Sequence, residues 1–224
     1  MTGCFVVLEG LDGVGKTTQV ALLSAWLDAT EVPHIVVREP GGTPVGETIR
    51  ELVLKRTDLT VPPESELFLI LAARAALVRD VIRPALEQGR TVVADRFTLS
   101  TLAYQVHGRG LDERGVRSAL DLATGGLRPD LCLVLDLPEE ESLERRERGG
   151  GVADRIEGAG EAFRRAVRAA YLALADVEPG VEVVSAQGIP EEVHARIRDI
   201  LEARLGAPFV GLAGHVREPG DDGD

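Results

Sequence analysis

The sequence predicts an α/β fold: an open parallel sheet with helices on both faces. Two observations carry this, five short runs rich in Val, Ile or Leu that lack polar alternation, and amphipathic helical stretches between them. An uninterrupted apolar run marks a strand covered on both faces, the condition of a parallel sheet, and the intervening helices supply the crossovers. A third is a glycine-rich turn, GLDGVGKT at residues 10–17, set between the first run and the first helix.

The five strands are expected at residues 4–8, 35–37, 91–94, 131–135 and 181–184, the last set off by Pro179-Gly180. A helix over 16–29 places Val20, Leu23 and Leu27 on one face, with Leu22 and Trp26 beside them. Residues 64–88 read as one longer helical pattern, apolar at Leu67, Leu71, Ala75 and Val78 and punctuated by Pro84 and Gly89. Another helix follows Phe97, and others cover 113–123, 139–148 after Pro138, 161–175 and 191–205. The chain of 224 residues is thus one domain over 1–205. Gly149-Gly150-Gly151 reads as a loop, and residues 206–224, ending Pro-Gly-Asp-Asp-Gly-Asp, as a disordered acidic tail.

Charge narrows the function. With 25 Lys+Arg against 37 Asp+Glu the net charge is -12, which repels phosphate backbones and disfavours a nucleic acid polymer as the main ligand. All but two of the basic residues are arginine; the lysines are Lys16 and Lys55, and Lys16 sits in the glycine-rich turn. Cys4 and Cys132 lie inside apolar runs, too far apart in sequence for a metal pair, and read as small buried hydrophobes. No uncharged run reaches about 18 residues, so the expectation is a cytoplasmic protein without a membrane span.

Residues 10–17 fit G-x-x-x-x-G-K-[ST], with strand before and helix after. Glycines let successive N–H groups turn inward around a phosphate, and the helix N-terminus adds positive potential. The expected nucleotide contacts are Gly10, Leu11, Asp12, Gly13, Val14, Gly15, Lys16, Thr17 and Thr18, with Lys16 on the β- and γ-phosphates and Thr17 toward Mg²⁺. No guanine-reading N-K-x-D segment exists around either lysine. Asp95 followed by Arg96 reads as a metal-facing carboxylate beside a cation for a second phosphate, rather than the hydrolytic pair of a motor ATPase.

GLDGVGKTT, VREPGGTPVGETIR, DRFTLSTLAYQ, GRG and DRIE follow one another, and with them the sequence resembles the thymidylate kinase (dTMP kinase) family of P-loop nucleoside monophosphate kinases over about residues 4–205. The resemblance implies a P-loop kinase fold with a five-stranded parallel sheet and a mobile lid at about 145–157. It implies transfer of the γ-phosphoryl of ATP to dTMP, giving dTDP and ADP in dTTP biosynthesis, with Mg²⁺ as cofactor and a homodimer through helices flanking the sheet. Arg96 is then the clamp on the acceptor phosphate, and Asp95 with Thr17 faces Mg²⁺. Asp12 meets the deoxyribose 3′-hydroxyl, a donor that would offset the cost of an acid beside phosphates. Glu39 and Arg50 lie along the monophosphate, and Arg74, Ser100, Thr101 and Gln105 around the thymine ring.

Two positions depart from the family pattern. Ile70 stands where an aromatic ring commonly stacks on thymine, and Phe68, two residues earlier, points about 200° away on a helix. Phe97 stands where Tyr or His usually follows the arginine of DRF. Because the glycine-rich turn carries no arginine, the resemblance assigns a catalytic arginine to the lid, among Arg145, Arg146, Arg148 and Arg155; Arg148 and Arg155 are the catalytic candidates, with Lys16 and Arg96. Two alternatives stay open: another nucleoside monophosphate kinase with altered base preference, and a P-loop nucleotide-binding regulator without transfer activity.

Overall fold

Strands β1 (Phe5–Glu9), β2 (His34–Arg38), β3 (Thr91–Asp95), β4 (Leu131–Asp136) and β5 (Val181–Ser185) form one parallel sheet in the order β2-β3-β1-β4-β5. The computed structural model describes residues 3–148, 155–156, 160–206 and 208, the side chains of Glu139, Leu143, Arg146, Glu147 and Arg148 excepted. Each strand runs one residue past its apolar run, ending on Glu9, Arg38, Asp95, Asp136 and Ser185. Backbone pairing carries on where the side chains turn polar, and these ends collect along one edge: both Leu8 and Arg38 are in register with Asp95. The strand order reverses around β1, whose two neighbours are β3 and β4. In such sheets the ligand crevice lies outside the carboxyl ends at this switch.

Helix α1 (Lys16–Ala29) has the predicted span. The segment after β2 forms α2 (Pro44–Arg50), whose start is fixed by the Thr43 hydroxyl accepting from the Gly46 N–H at 3.0 Å, then a π-helical run over Glu51–Lys55. The single helix expected over 64–88 is α3 (Pro63–Leu77), a π-helical stretch (Val78–Ile82) and α4 (Arg83–Glu87) in continuous sequence. Pro84 explains the widening, since it removes an N–H from the ladder and its ring crowds the preceding turn. Helix α5 (Thr98–Thr101) likewise passes into a π-helical run over Leu102–Gly108. There follow α6 (Glu113–Thr124), α7 (Glu139–Arg148), α8 (Glu161–Val177) and α9 (Pro190–Leu205).

The core joins the strands to Leu23 and Leu27 of α1, Leu77 of α3, Ile82 in the π-helical stretch after it, Tyr171 of α8 and Leu201 of α9. Cys4 and Cys132 are buried free thiols, and burial pushes both pKa values up. No described helix is long and apolar enough to cross a membrane. Of the expected lid at 145–157, residues 149–154 and 157 lie outside the described residues, as do 207 and 209–224 of the expected tail.

Candidate functional site

The turn between β1 and α1 is shaped by its glycines. Gly10 has φ +129°, and a Cβ there would come within 2.4 Å of the Leu135 carbonyl oxygen, so only glycine lets the loop lie against β4. Gly15 has φ +98° and a Cβ on it would meet nothing within 4 Å, which leaves an open hollow at the start of α1. Lys16 is buried beneath this turn, its Nζ donating to the carbonyls of Gly10 (3.1 Å) and Leu11 (2.8 Å) and lying 3.4 Å from Asp12 Oδ1. Burial first, then the Arg96 charge, lowers its pKa, so an arriving anion would favour its charged form. The Thr17 hydroxyl lies 3.5 Å from Asp95 Oδ2. Two hard oxygen donors so placed suit a small divalent cation that shares its remaining ligands with water and phosphate. Among the described residues no cluster of three or more His, Cys, Asp or Glu could hold a metal without such help.

Arg96 follows the end of β3 with φ +73°, a left-handed conformation that is strained for a side-chain-bearing residue. Its contacts explain why the strain is held. Nη1 donates to the Gly10 carbonyl (3.0 Å), Ser100 Oγ (3.1 Å) and Tyr171 Oη (3.1 Å); Nη2 donates to Asp12 Oδ1 (2.6 Å) and Tyr104 Oη (3.4 Å). Burial opposes its charge, but Asp12 foremost, then Tyr104, Tyr171 and Asp95, hold its pKa well above the ordinary value. The acid that pairs with Arg96 is therefore Asp12, and Asp12 sits beside two cations, Arg96 and Lys16. These cations offset the cost expected of an acid near phosphates.

Glu9, fully buried at the end of β1, fixes the next layer. It accepts from the N–H groups of Phe97 (2.8 Å) and Ser100 (3.1 Å), from Ser100 Oγ (2.5 Å) and from Tyr171 Oη (3.0 Å), anchoring the start of α5 to the sheet. Arg74, 1% exposed on α3, donates Nε to Glu39 Oε2 (2.7 Å), Nη1 to Thr101 Oγ1 (2.8 Å) and Nη2 to the Phe97 carbonyl (2.8 Å). Its guanidinium is mostly committed to the wall; Nη1 keeps one further N–H beyond its bond to Thr101. Glu39 Oε1 is buried without a partner, and burial raises the Glu39 pKa even against Arg74.

Asp12, Glu39, Arg50, Ile70, Arg74, Arg96, Ser100, Thr101 and Gln105, all nine residues expected to bind the acceptor, line one cavity. Pro40, Leu54, Tyr104 and Ile156 complete it. Arg50 donates to the Pro40 carbonyl at 2.8 Å, and Phe68 is 64% exposed, pointing away as its spacing from Ile70 demands.

The lid arginines are placed differently. Arg155 donates Nε to the Val53 carbonyl (2.8 Å) and Nη2 to Glu66 Oε2 (2.7 Å), and among the described residues it makes no bond to the glycine-rich turn. Arg155, expected at the phosphates, is held in this structure against the Val53 carbonyl and the buried Glu66. The Arg148 side chain lies outside the described residues. Sequence reasoning also missed Glu9, Glu66, Tyr104 and Tyr171. Only Glu9 had a local signal, an acid directly after an apolar strand run.

The thymidylate kinase family model matches residues 8–197. The thymidylate kinase of Pelotomaculum thermopropionicum is 46% identical over 212 residues, covering 94% of this chain and 98% of that protein. That of Synechococcus sp. (strain JA-2-3B'a(2-13)) is 48% identical over 216 residues, covering 96% and 100%. A crystal structure of thymidylate kinase from Ehrlichia chaffeensis superposes with a TM-score of 0.70 at 29% identity, covering 90% of this chain and 100% of that one.

Proposed function

This chain belongs to the thymidylate kinase family, ATP-dependent nucleoside monophosphate kinases, and from that premise we propose how its own residues carry the transfer of the ATP γ-phosphoryl to dTMP. One observation supports the reading above others: the glycine-rich turn and the cavity share Asp12 and meet at Arg96, so donor and acceptor phosphates would converge on one cation.

In this reading residues 10–18 cradle ATP, with Lys16 on its β- and γ-phosphates. Thr17 and Asp95 would hold Mg²⁺, which when bound neutralises charge on the β- and γ-phosphate oxygens. Arg96 holds the dTMP phosphate so that its oxygen faces the γ-phosphorus; the new P–O bond forms there as the bond to the β–γ bridging oxygen breaks, leaving ADP. Glu39 and Arg50 flank the monophosphate, Asp12 the 3′-hydroxyl, and Ile70, Arg74, Ser100, Thr101 and Gln105 the base. Arg148 and Arg155 belong to the same reading as the lid's cations for the transferring group. The domain is 1–205 with a lid at 145–157 and a tail beyond, and the location is cytoplasmic.

Turnover of dTMP, dUMP, CMP and AMP measured side by side with ATP and Mg²⁺ checks the assignment. dTMP is expected to be the best acceptor; equal or better turnover of AMP or CMP would sink it and favour the altered-base alternative. ATP binding without product from any of the four would favour the non-catalytic regulator.

The chain also pairs as a homodimer in this reading. Phe68 on α3 and Leu122 on α6 are 64% and 86% exposed, on two helices that pack together. Light scattering is expected to give twice the 23.9 kDa chain mass, and a monomer at assay concentration rules the pairing out.

A further inference from the structure

Glu66 lies on α3 with 1% of its side chain exposed, where three donors meet. Its Oε1 accepts from Gln105 Nε2 (3.0 Å) and Arg109 Nε (3.2 Å), and its Oε2 from Arg109 Nη2 (3.2 Å) and Arg155 Nη2 (2.7 Å). With both oxygens engaged, the carboxylate cannot rotate without breaking charged hydrogen bonds. Arg109 is itself held over the Phe163 ring, 4.6 Å from its centroid.

The consequence falls on Gln105. The two ends of a glutamine amide have nearly the same shape and opposite hydrogen-bonding character, so a neighbour must choose between them. An ionised carboxylate only accepts, and Glu66 therefore draws in Nε2. Gln105 also lines the cavity; with Nε2 turned to Glu66, where it keeps one further N–H, the end of the amide turned away from Glu66 is its carbonyl Oε1, an acceptor.

We propose that Glu66 is a specificity-determining positioning residue: by fixing the amide of Gln105 it presents an acceptor to the base and selects pyrimidines whose N3 carries a hydrogen. Thymine and uracil offer that N–H, whereas cytosine presents a lone pair at N3 and would meet Oε1 with repulsion. The discrimination set by Glu66 is between keto and amino pyrimidines and is independent of the 5-methyl group. The inference rests on the reading of this cavity as the dTMP site. Glu66 also seats the other wall, because Arg155 donates its backbone N–H to the Leu54 carbonyl, and Leu54 and Ile156 are both cavity residues.

Wild-type turnover of dTMP is measured first; its absence would count against the cavity reading itself and not against the role of Glu66. In Glu66→Gln the neighbour of Gln105 can donate as well as accept, so the amide is free to turn over. The ratio of kcat/KM for dTMP over dCMP is expected to fall at least about tenfold, with the KM for ATP held within about twofold. Arg109→Met loosens the same cluster but keeps the bond from Gln105 to Glu66, and its ratio is expected to stay within about threefold of wild type. An unchanged ratio in folded Glu66→Gln, or an equal fall in Arg109→Met, overturns the proposal. Should Glu66→Gln not fold, Gln105→Met decides: a fall of at least about tenfold in the ratio of kcat/KM for dTMP over dCMP supports the acceptor, and an unchanged ratio overturns it.

Discussion

Replacing Lys16 with alanine is expected to lower kcat by at least about 10²-fold while the fold stays intact. Lys16 Nζ is already poised under the turn by the Gly10 and Leu11 carbonyls, and burial and Arg96 work against its charge, an effect Asp12 at 3.4 Å offsets only in part. A cation so placed gains most from the species with the greatest negative charge on the bridging and γ-phosphoryl oxygens, which is the transition state. Loss should therefore appear in kcat more than in the KM for ATP. Removing the ammonium leaves the Gly10 carbonyl and Asp12 still bonded to Arg96, and only the Leu11 carbonyl loses its side-chain donor, so the cost to stability is small beside the cost to rate. Steady-state kinetics with a thermal melt on the same sample tests this: unchanged turnover in a folded variant would refute the role.

Why Lys16 was legible from sequence, and Glu66 was not, is a matter of range. The turn from Gly10 to Thr17 is built from neighbours along the chain, so its spacing is its geometry. Five apolar runs predicted five strands for the same reason: β1, β3 and β4 are buried residue after residue, while the edge strands β2 and β5 leave Val36 and Val183 exposed yet keep the same run of β-branched residues. The nine residues around the cavity needed more: Arg96 meets Asp12 across 84 positions, and Arg74 meets Glu39 across 35. Family resemblance supplied their grouping, while their hydrogen-bond partners came only with the fold. Nothing local marks Glu66, an acid one turn before Ile70 on a helix, as the partner of Arg155, 89 positions away. Sequence gives the supply of cations around a loop, Arg155 among them, but not which buried acid they meet. The π-helical stretches were equally hidden, since Pro84 signals a break and the chain instead widens its turn.

The largest effect on stability is expected at Arg74. Glu39 and Arg74 form a buried pair, with side chains 3% and 1% exposed, and Arg74→Met leaves the carboxylate in the interior with no cation. Breaking a buried pair on one side costs about 3–5 kcal/mol, a fall in Tm of roughly 6–20 °C for a chain of this size. The pH dependence identifies the cause. Burial already raises the Glu39 pKa, and Arg74 is the largest influence holding it down, so the variant raises it further. The folded state then keeps a proton that the unfolded chain releases, and stability conferred by that proton is full below the unfolded carboxylate pKa and lost as pH rises through the folded value. Arg74→Met should accordingly be more destabilised at about pH 8 than at about pH 5.5 in urea unfolding. Adding Glu39→Gln removes the stranded charge and should recover most of the loss at the higher pH, since a neutral amide needs no counter-ion. Equal destabilisation at both pH values, with no recovery in the double variant, would show that Arg74 acts through packing and its bonds to Thr101 and Phe97 rather than through Glu39.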